Sequence, residues 1–457
     1  MADPIRTLRE TLTESLPYCS GTLPVKPRDL ILYYGIGANL GRMDLSPSAK
    51  TCQPATFGRN DQDVLDETYR KAGKLDSDAF MIGLDAGHAG LVETVRTSLF
   101  PGREETRTIE AQLYKLNVYG KDAFFKSHKD TPRASNMFGS LVIVFPTPHQ
   151  GGELILRHEY KAYTFDSSKL LSLPDMSSSV AFVAFFSDID HEVLPVTSGH
   201  RVTITYNLYF APPGTVVQQL SMPPNGLNLL QPASANALEV TQALKDLLDD
   251  ENVLPKGGTL GFGLRHQYPL PKTVSEEDPN PLIELEQWLK GSDAALFAAC
   301  WELDLNPVLR LVYYDDEPYD GAFANQHGVL TDSVVSVGDT EGCGPLERAM
   351  RAYTGGVNVV FDMLGEEDPE RWEHYELRYS GLYVHEGGEP RMVSMVTKTT
   401  SWNPIKSAYI AYGNEHTIGL MYAYVCLLVG VGPKERRTRV MSDPEEWKPK
   451  KDKNRYW

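Results

Sequence analysis

Between Leu113 and Phe210 seven short runs rich in β-branched and aromatic residues follow one another: LYKLNVY, GSLVIVFP, GELILRH, KAYTFD, SVAFVAFFSD, HEVLPV and HRVTITYNLYF. Turn formers separate them at Pro146-Thr147-Pro148, Gly151-Gly152, Asp166-Ser167-Ser168 and Ser198-Gly199. Many short strands with regular turns predict a β-sandwich or barrel. In the last run strict alternation puts Arg201, Thr203 and Thr205 on one face, and Val202, Ile204 and Tyr206 on the other. A polar face opposite an apolar one is expected where a strand lines a water-containing cavity.

Around that block the chain divides by character. Its 457 residues exceed the size at which one core usually stops growing, so two domains are expected. Residues 1–110 read as a mostly helical N-terminal support. One helix is expected through DQDVLDETYRKAG, capped by Asn60, with Val64, Leu65 and Thr68-Tyr69 at helical spacing. A second is expected from Gly90 to Phe100, ended by Pro101-Gly102. Residues 111–212 form the β-rich core, and 213–236, with a Pro/Asn/Gln-rich stretch, read as a linker. Residues 237–440 read as a second α+β region. Its helices are expected in ANALEVTQALKDLLDD and PLIELEQWLKG, its strands in TLGFGLRH, YELRYSGLYVH, RMVSMVT and MYAYVCLLVGV. The tail 441–457 is basic and expected to fray.

Composition narrows the partners. Hydrophobic content of 41% with 10% aromatics leaves ample material for a core. A net charge of −17 repels phosphate backbones and anionic lipid, so neither nucleic acid nor a membrane surface is an expected partner. The five cysteines (Cys19, Cys52, Cys300, Cys343, Cys426) are widely spaced with no CxxC pair, which predicts free thiols in a reducing compartment. The N-terminus has no apolar signal segment, and the run from Leu420 to Gly432 is too short for a spanning helix. The expected location is cytoplasmic, with a nuclear one as the alternative.

His128-Lys129-Asp130 sits near the end of an extended stretch, His191 follows 61 residues after Asp130, and Arg201 comes ten residues later. On a strand, residues i and i+2 point the same way, so His128 and Asp130 can reach one ion while Lys129 points elsewhere. Two imidazoles and a carboxylate are the facial set that holds ferrous iron with open positions. An always-charged, forked guanidinium beyond the second histidine suits the far carboxylate of a bound keto acid, and Thr203 can add a hydroxyl. An antiparallel hairpin of SVAFVAFF with HRVTITYNLYF is expected to bring Arg201 back beside His191. The competing reading makes His128 a surface histidine and His191 a satisfied core residue. His149, His158 and His200 are local decoys. No GxSxG elbow, phosphate-binding loop or dinucleotide fingerprint occurs.

The stretch LYKLNVYGKDAFFKSHKDTPR…GSLVIVFPTPHQGGELILRH…VAFVAFFSDIDHEVLPVTSGHRVTITYNLYF resembles the catalytic domain of Fe(II)/2-oxoglutarate-dependent dioxygenases of the prolyl 4-hydroxylase-like type. That resemblance implies an α+β protein with a double-stranded β-helix (jelly-roll) core. It implies Fe(II), 2-oxoglutarate and O2, with ascorbate as a candidate reductant. The family's metal triad falls on His128, Asp130 and His191, and its oxoglutarate-binding basic residue on Arg201. The tyrosine that contacts the cosubstrate falls on Tyr119, and the paired glycines on Gly151-Gly152. The chain departs from the family at Phe125, where a tyrosine is usual, and at Arg201, where collagen-type members carry lysine.

The activity so implied is hydroxylation of an unactivated C–H bond, peptidyl proline among the candidates, with release of succinate and CO2. The substrate is a protein, a peptide or a small molecule. Two other readings stay open on the residues: a non-catalytic β-helix module that binds a partner, and a metal-dependent oxygenase or isomerase without 2-oxoglutarate. Arg133 is read as a turn cap or as a contact to an acidic substrate group. Phe182, Phe185, Phe186, Tyr206 and Phe210 are read as barrel packing.

Overall fold

The computed structural model describes residues 3–36, 39–43, 52–59, 62–100, 107–173, 178–212, 226–231, 237–272, 274, 278–313, 327–335, 356–365, 391–399, 403 and 419–437. The chain forms two compact units. The motif-bearing unit comprises 15–235 with 408–420; the companion unit comprises 1–14, 236–407 and 421–457.

Every one of the seven β-rich runs contains a strand. An eight-stranded sheet runs in the order Asn228–Leu229, Tyr18–Pro24, Ser179–Phe186, Met137–Val144, Arg201–Phe210, Ile109–Tyr119, Gly73–Asp76, Gln53–Pro54. A five-stranded sheet runs Lys161–Phe165, Leu154–His158, Asp190–Val193, Phe124–His128, Arg70–Lys71. These two sheets are the double-stranded β-helix. Ser179–Phe186 is buried at every position, which its unbroken apolar pattern requires of a central strand. The expected hairpin between SVAFVAFF and HRVTITYNLYF does not form. Met137–Val144 lies between them, pairing Leu141 with Ala184 on one side and with Tyr206 on the other. Sequence neighbours are thus split between sheets, His191 in one and Arg201 in the other.

The N-terminal region is not mostly helical. Among its described residues up to 110 it carries nine complete short strands, the start of Ile109–Tyr119, a 3-10 turn, and only two helices, Pro4–Glu14 and Leu91–Leu99. The helix expected through DQDVLDETYRKAG is absent from its described part, which is extended at Gln62–Val64 and Arg70–Lys71; Asn60 lies outside the described residues. Asp66 Oδ1 accepts from the Thr68 backbone N–H at 2.8 Å and its hydroxyl at 2.6 Å, a local turn that competes with helix. Leu65 is 56% exposed, so the supposed apolar stripe has nothing to bury against. The segment instead supplies sheet: Arg70–Lys71 pairs with Phe124–Phe125, and Tyr18–Pro24 with Ser179–Phe186. Leu91–Leu99 matches expectation, burying Leu91, Thr94, Val95 and Leu99 along one side. Phe100 then packs edge-on against Phe138, Phe186 and Phe210 at 5.1–5.7 Å.

Part of the supposed 213–236 linker is likewise structured, since Asn228–Leu229 is an edge strand on Tyr18–Pro24. Residues 213–225 and 232–236, the YELRYSGLYVH segment and the 441–457 tail lie outside the described residues.

The companion unit is a closed six-stranded barrel, Gly258–Gly263, Arg391–Thr397, Val357–Met363, His327–Thr331, Val308–Tyr313, Val425–Val431. Alternate positions, Val312, Leu330, Val359, Phe361, Val393, Met395, Cys426 and Leu428, form one apolar cluster. The other strand faces pack with helices Ala237–Asp249 and Gly291–Glu302. Helix Pro4–Glu14 belongs here, burying Leu8 and Leu12 in the same cluster as Val240 and Leu244. PLIELEQWLKG yields only the short helix Pro281–Leu285. No helix among the described residues is long and apolar enough to cross a membrane.

Candidate metal and anion site

A cleft enclosing about 560 Å³ of space between atoms, its open mouth included, lies in the motif-bearing unit. Side chains of both sheets line it. Phe125, His128, Leu154, His191 and Val193 come from the five-stranded sheet. From the eight-stranded sheet come Lys115, Asn117, Tyr119, Ser140, Val142, Phe185, Arg201, Thr203 and Thr205. All six expected site residues, His128, Asp130, His191, Arg201, Thr203 and Tyr119, are in the lining; His149, His158 and His200 are not.

Strand pairing assembles the candidate ligands. His128 and His191 are direct cross-strand partners, their rings 4.2 Å apart between centroids. Asp130 lies just past its strand, its backbone N–H donating to Ser187 O at 3.2 Å. Its Oδ1 is 3.8 Å from His191 Nε2, within the ~4.2 Å that two donors about 2.1 Å from one ion can be apart. The donor atoms of all three do not lie within 4.8 Å of one another, so seating an ion requires at least one of them to move.

Each candidate ligand is held by the atom a metal would not use. His128 Nδ1 lies 2.8 Å from Lys126 O, and His191 Nδ1 lies 3.0 Å from Ile189 O. A carbonyl can only accept, so each Nδ1 carries the proton and each Nε2 keeps its lone pair. Ser140 Oγ donates to Asp130 Oδ2 at 2.6 Å, leaving Oδ1 toward His191. Burial, and then the proximity of His191, hold the His128 imidazole well below its ordinary pKa, in the neutral form that binds metal. Phe125, where the family has tyrosine, stacks on His128 at 3.5 Å and 23°.

The anion end is built on three rungs of the Ile109–Tyr119 and Arg201–Phe210 pair: Tyr119↔Arg201, Asn117↔Thr203 and Lys115↔Thr205. Arg201 is 2% exposed, and its guanidinium makes no hydrogen bond to any described residue. Such a buried cation costs free energy unless an anion meets it. Burial pulls its pKa down, opposed by Tyr119 and Glu153, but a guanidinium stays charged. Gly152, at φ +73°, gives it room: a Cβ there would sit 2.9 Å from the Arg201 side chain and 2.8 Å from Val196. The residues therefore fit a metal ion beside a carboxylate-bearing cosubstrate.

Several lining residues escaped the sequence reading. Ser140, Lys115 and Asn117 were open to it, since the latter two share the strand parity of Tyr119. Arg70 was hidden by the mistaken helix. Arg133, read as a cap or a substrate contact, donates to Tyr114 Oη at 3.1 Å and does not line the cleft. Phe182, Phe186 and Phe210 pack as expected, whereas Phe185 faces the cleft with its ring 4.8 Å from that of His191.

Residues 114–209 match the family model of the 2OG-Fe(II) oxygenase superfamily. That stretch is a 2OG-Fe(II) oxygenase domain, a class whose chemistry uses Fe(II), 2-oxoglutarate and O2. Among solved structures it is similar to a Pseudomonas putida prolyl-4-hydroxylase, at 16% identity over 46% of this chain and 100% of that one (TM-score 0.26). It is also similar to a Trichoplax adhaerens prolyl hydroxylase in complex with a hypoxia inducible factor peptide fragment, at 18% identity over 45% and 90% (TM-score 0.25). A third is a viral collagen prolyl hydroxylase from Paramecium Bursaria Chlorella virus-1, at 12% identity over 31% and 81% (TM-score 0.22). No curated protein matches.

Proposed function

We propose that the chain is a hydroxylase in which His128, Asp130 and His191 hold the iron, while Arg201, with Thr203 and Tyr119, holds the distal carboxylate of 2-oxoglutarate. With Fe(II) bound, O2 would be the oxidant: one of its oxygen atoms would enter succinate as 2-oxoglutarate is oxidised with loss of CO2, and the other would enter a C–H bond of the substrate. The chain's own residues do the positioning. Lys126 O and Ile189 O fix the imidazole tautomers, Ser140 turns the carboxylate, and Phe125 restrains the His128 ring. The apolar walls Val142, Leu154, Phe185 and Val193 limit water around the reacting groups.

The observation that carries this reading is the buried Arg201 guanidinium without a hydrogen-bond partner among the described residues. A metal site working without the keto acid would leave that guanidinium with no hydrogen-bonded counterpart among the described residues. Anaerobic titration with Fe(II) and 2-oxoglutarate should give a weak metal-to-ligand charge-transfer band, absent from the His191→Ala variant. A wild-type protein that binds both without the band, or that keeps the band after His191→Ala, would overturn the assignment. Peptidyl proline, a free amino acid and a secondary metabolite remain the candidate substrates within it.

A further inference from the structure

The strand that ends on His128 carries an extra residue. Against Asp190–Val193, Phe125 pairs with Val193 and His128 with His191, three steps on one strand for two on the other. Strand parity alone would set Phe125 and His128 on opposite faces. The bulge turns both into the cleft and leaves Lys126 and Ser127 exposed between them. This is what lets the two rings stack, at 3.5 Å and 23°.

Tyr69 and Arg70, which lie outside the 114–209 stretch of the family match, grip that bulge from its other edge. Arg70 is the strand partner of Phe125, and the Lys126 backbone N–H donates to Tyr69 O at 3.0 Å. Tyr69 Oη donates to Ser127 O at 2.6 Å. The Arg70 guanidinium carbon sits 4.3 Å from the Phe125 ring centroid, a cation over a ring. His128 already fills one face of that ring, and two groups this close cannot share a face, so the guanidinium takes the other. Arg70 is itself buried and fixed: Nη1 donates to Thr56 O at 2.6 Å and Nη2 to Asn117 Oδ1 at 2.9 Å. Guanidinium, phenyl and imidazole thus form one stack, tied down at the Arg70 end and finishing on a candidate metal ligand.

The hydrogen bond from His128 Nδ1 to Lys126 O holds the imidazole at one edge, about which the ring can still swing. A flat neighbour on its face stops that motion only if the neighbour is backed in turn. We propose that Arg70 is a positioning residue for the metal: by backing Phe125, it keeps the His128 ring turned so that Nε2 meets the ion. This role rests on the proposed function, in which His128 is a ligand. A ring fixed in advance loses less freedom when the ion binds, so the effect is read as metal affinity. In a purely structural role Arg70 would tie Thr56 to Asn117 without bearing on the metal.

Co(II), which takes the same ligand types as Fe(II) and absorbs visible light when bound, is the probe for the metal-free full chain. Its bands should appear in the wild type and be lost in His128→Ala. Arg70→Met should weaken Co(II) binding about tenfold, the scale of losing a partner behind a ligand. Phe125→Leu, which removes the ring but leaves both Arg70 hydrogen bonds, should weaken it by a similar factor. Phe125→Tyr keeps the stack and should change affinity less than about twofold. In the Phe125→Leu background, Arg70→Met should add less than about a further twofold, because Arg70 acts through the ring.

Denaturant unfolding of the same metal-free variants separates positioning from mere support. An Arg70→Met variant that unfolds earlier yet binds Co(II) as the wild type does would overturn the inference. So would losses that multiply in the double variant. An unchanged affinity in Phe125→Leu would overturn it as well, even where Arg70→Met does not fold. A wild type without Co(II) bands, or bands that survive His128→Ala, would fell the proposed function and the role of Arg70 with it.

Discussion

The two units are both strand-built and closed around an interior, yet they treat buried charge in opposite ways. In the companion unit, Asp293 accepts from the Arg265 and His266 backbone N–H groups at 3.0 Å each and from Tyr268 Oη at 2.8 Å. Lys290 Nζ donates to Gln267 O at 2.8 Å, and Arg265 Nη1 to Leu12 O at 2.6 Å. These buried ions are met by the chain itself, and the barrel carries a wholly apolar cluster. In the motif-bearing unit, Arg201 is as deeply buried but its Nε has no partner among the described residues. Full pairing marks a polar cluster that holds loops together. Missing pairing marks one that awaits a ligand, since an unmet buried ion is retained only where something else repays its desolvation.

That contrast can be tested by taking one charge from each unit. The largest effect on stability should come from Asp293→Ala, which strands three donors and should cost about 3–5 kcal/mol in denaturant unfolding of the full chain. A cost below about 1 kcal/mol would show that the companion network is not structural. Arg201→Met should do the reverse. Stability should hold or rise, while 2-oxoglutarate binding falls on the order of 100-fold, because charge-assisted hydrogen bonds are worth about 1.5–3 kcal/mol each. Strong destabilisation would put Arg201 among the structural ions and erase the difference between the units.

The remaining effect, a dependence on pH, concerns Lys115. Its folded pKa is lowered to about 7 by burial and by neighbouring cations, whereas an unfolded lysine titrates near 10.4. Between those values the unfolded chain binds more protons, so this group makes stability rise with pH from about 7 to about 10. Lys115→Met should flatten that rise in pH-dependent unfolding. An unchanged slope would place Lys115 in a better-solvated or better-paired setting.

Legibility followed the range of the interactions involved. Alternation and turn chemistry are local, so the β-rich runs could be read directly, down to the face shared by Arg201, Thr203 and Thr205. Leu91–Leu99 was likewise readable from its spacing. The supposed helix at 61–73 failed because its helical spacing was coincidental: Asp66 turns the chain, and Arg70 is claimed by a strand partner 55 residues later, Phe125. The hairpin of SVAFVAFF with HRVTITYNLYF failed because adjacency in sequence does not fix adjacency in a sheet. The Met137–Val144 strand, formed earlier in the chain, takes the place between them. Helix Gly291–Glu302 escaped notice because it is apolar on several sides and lacks a clear stripe.

The sequence by itself determined the candidate chemistry: which side chains could bind metal and anion, and on which faces of their strands they stand, because strand parity is a local property of the backbone. Tertiary structure alone decided what those side chains meet. It set His128 against His191 across a strand pair, gave Ser140 to Asp130, and drew Arg70 from an unrelated stretch of chain into the same cleft. It also left the Arg201 guanidinium short of partners, a fact that depends on everything within reach of it and so cannot be read from any one segment.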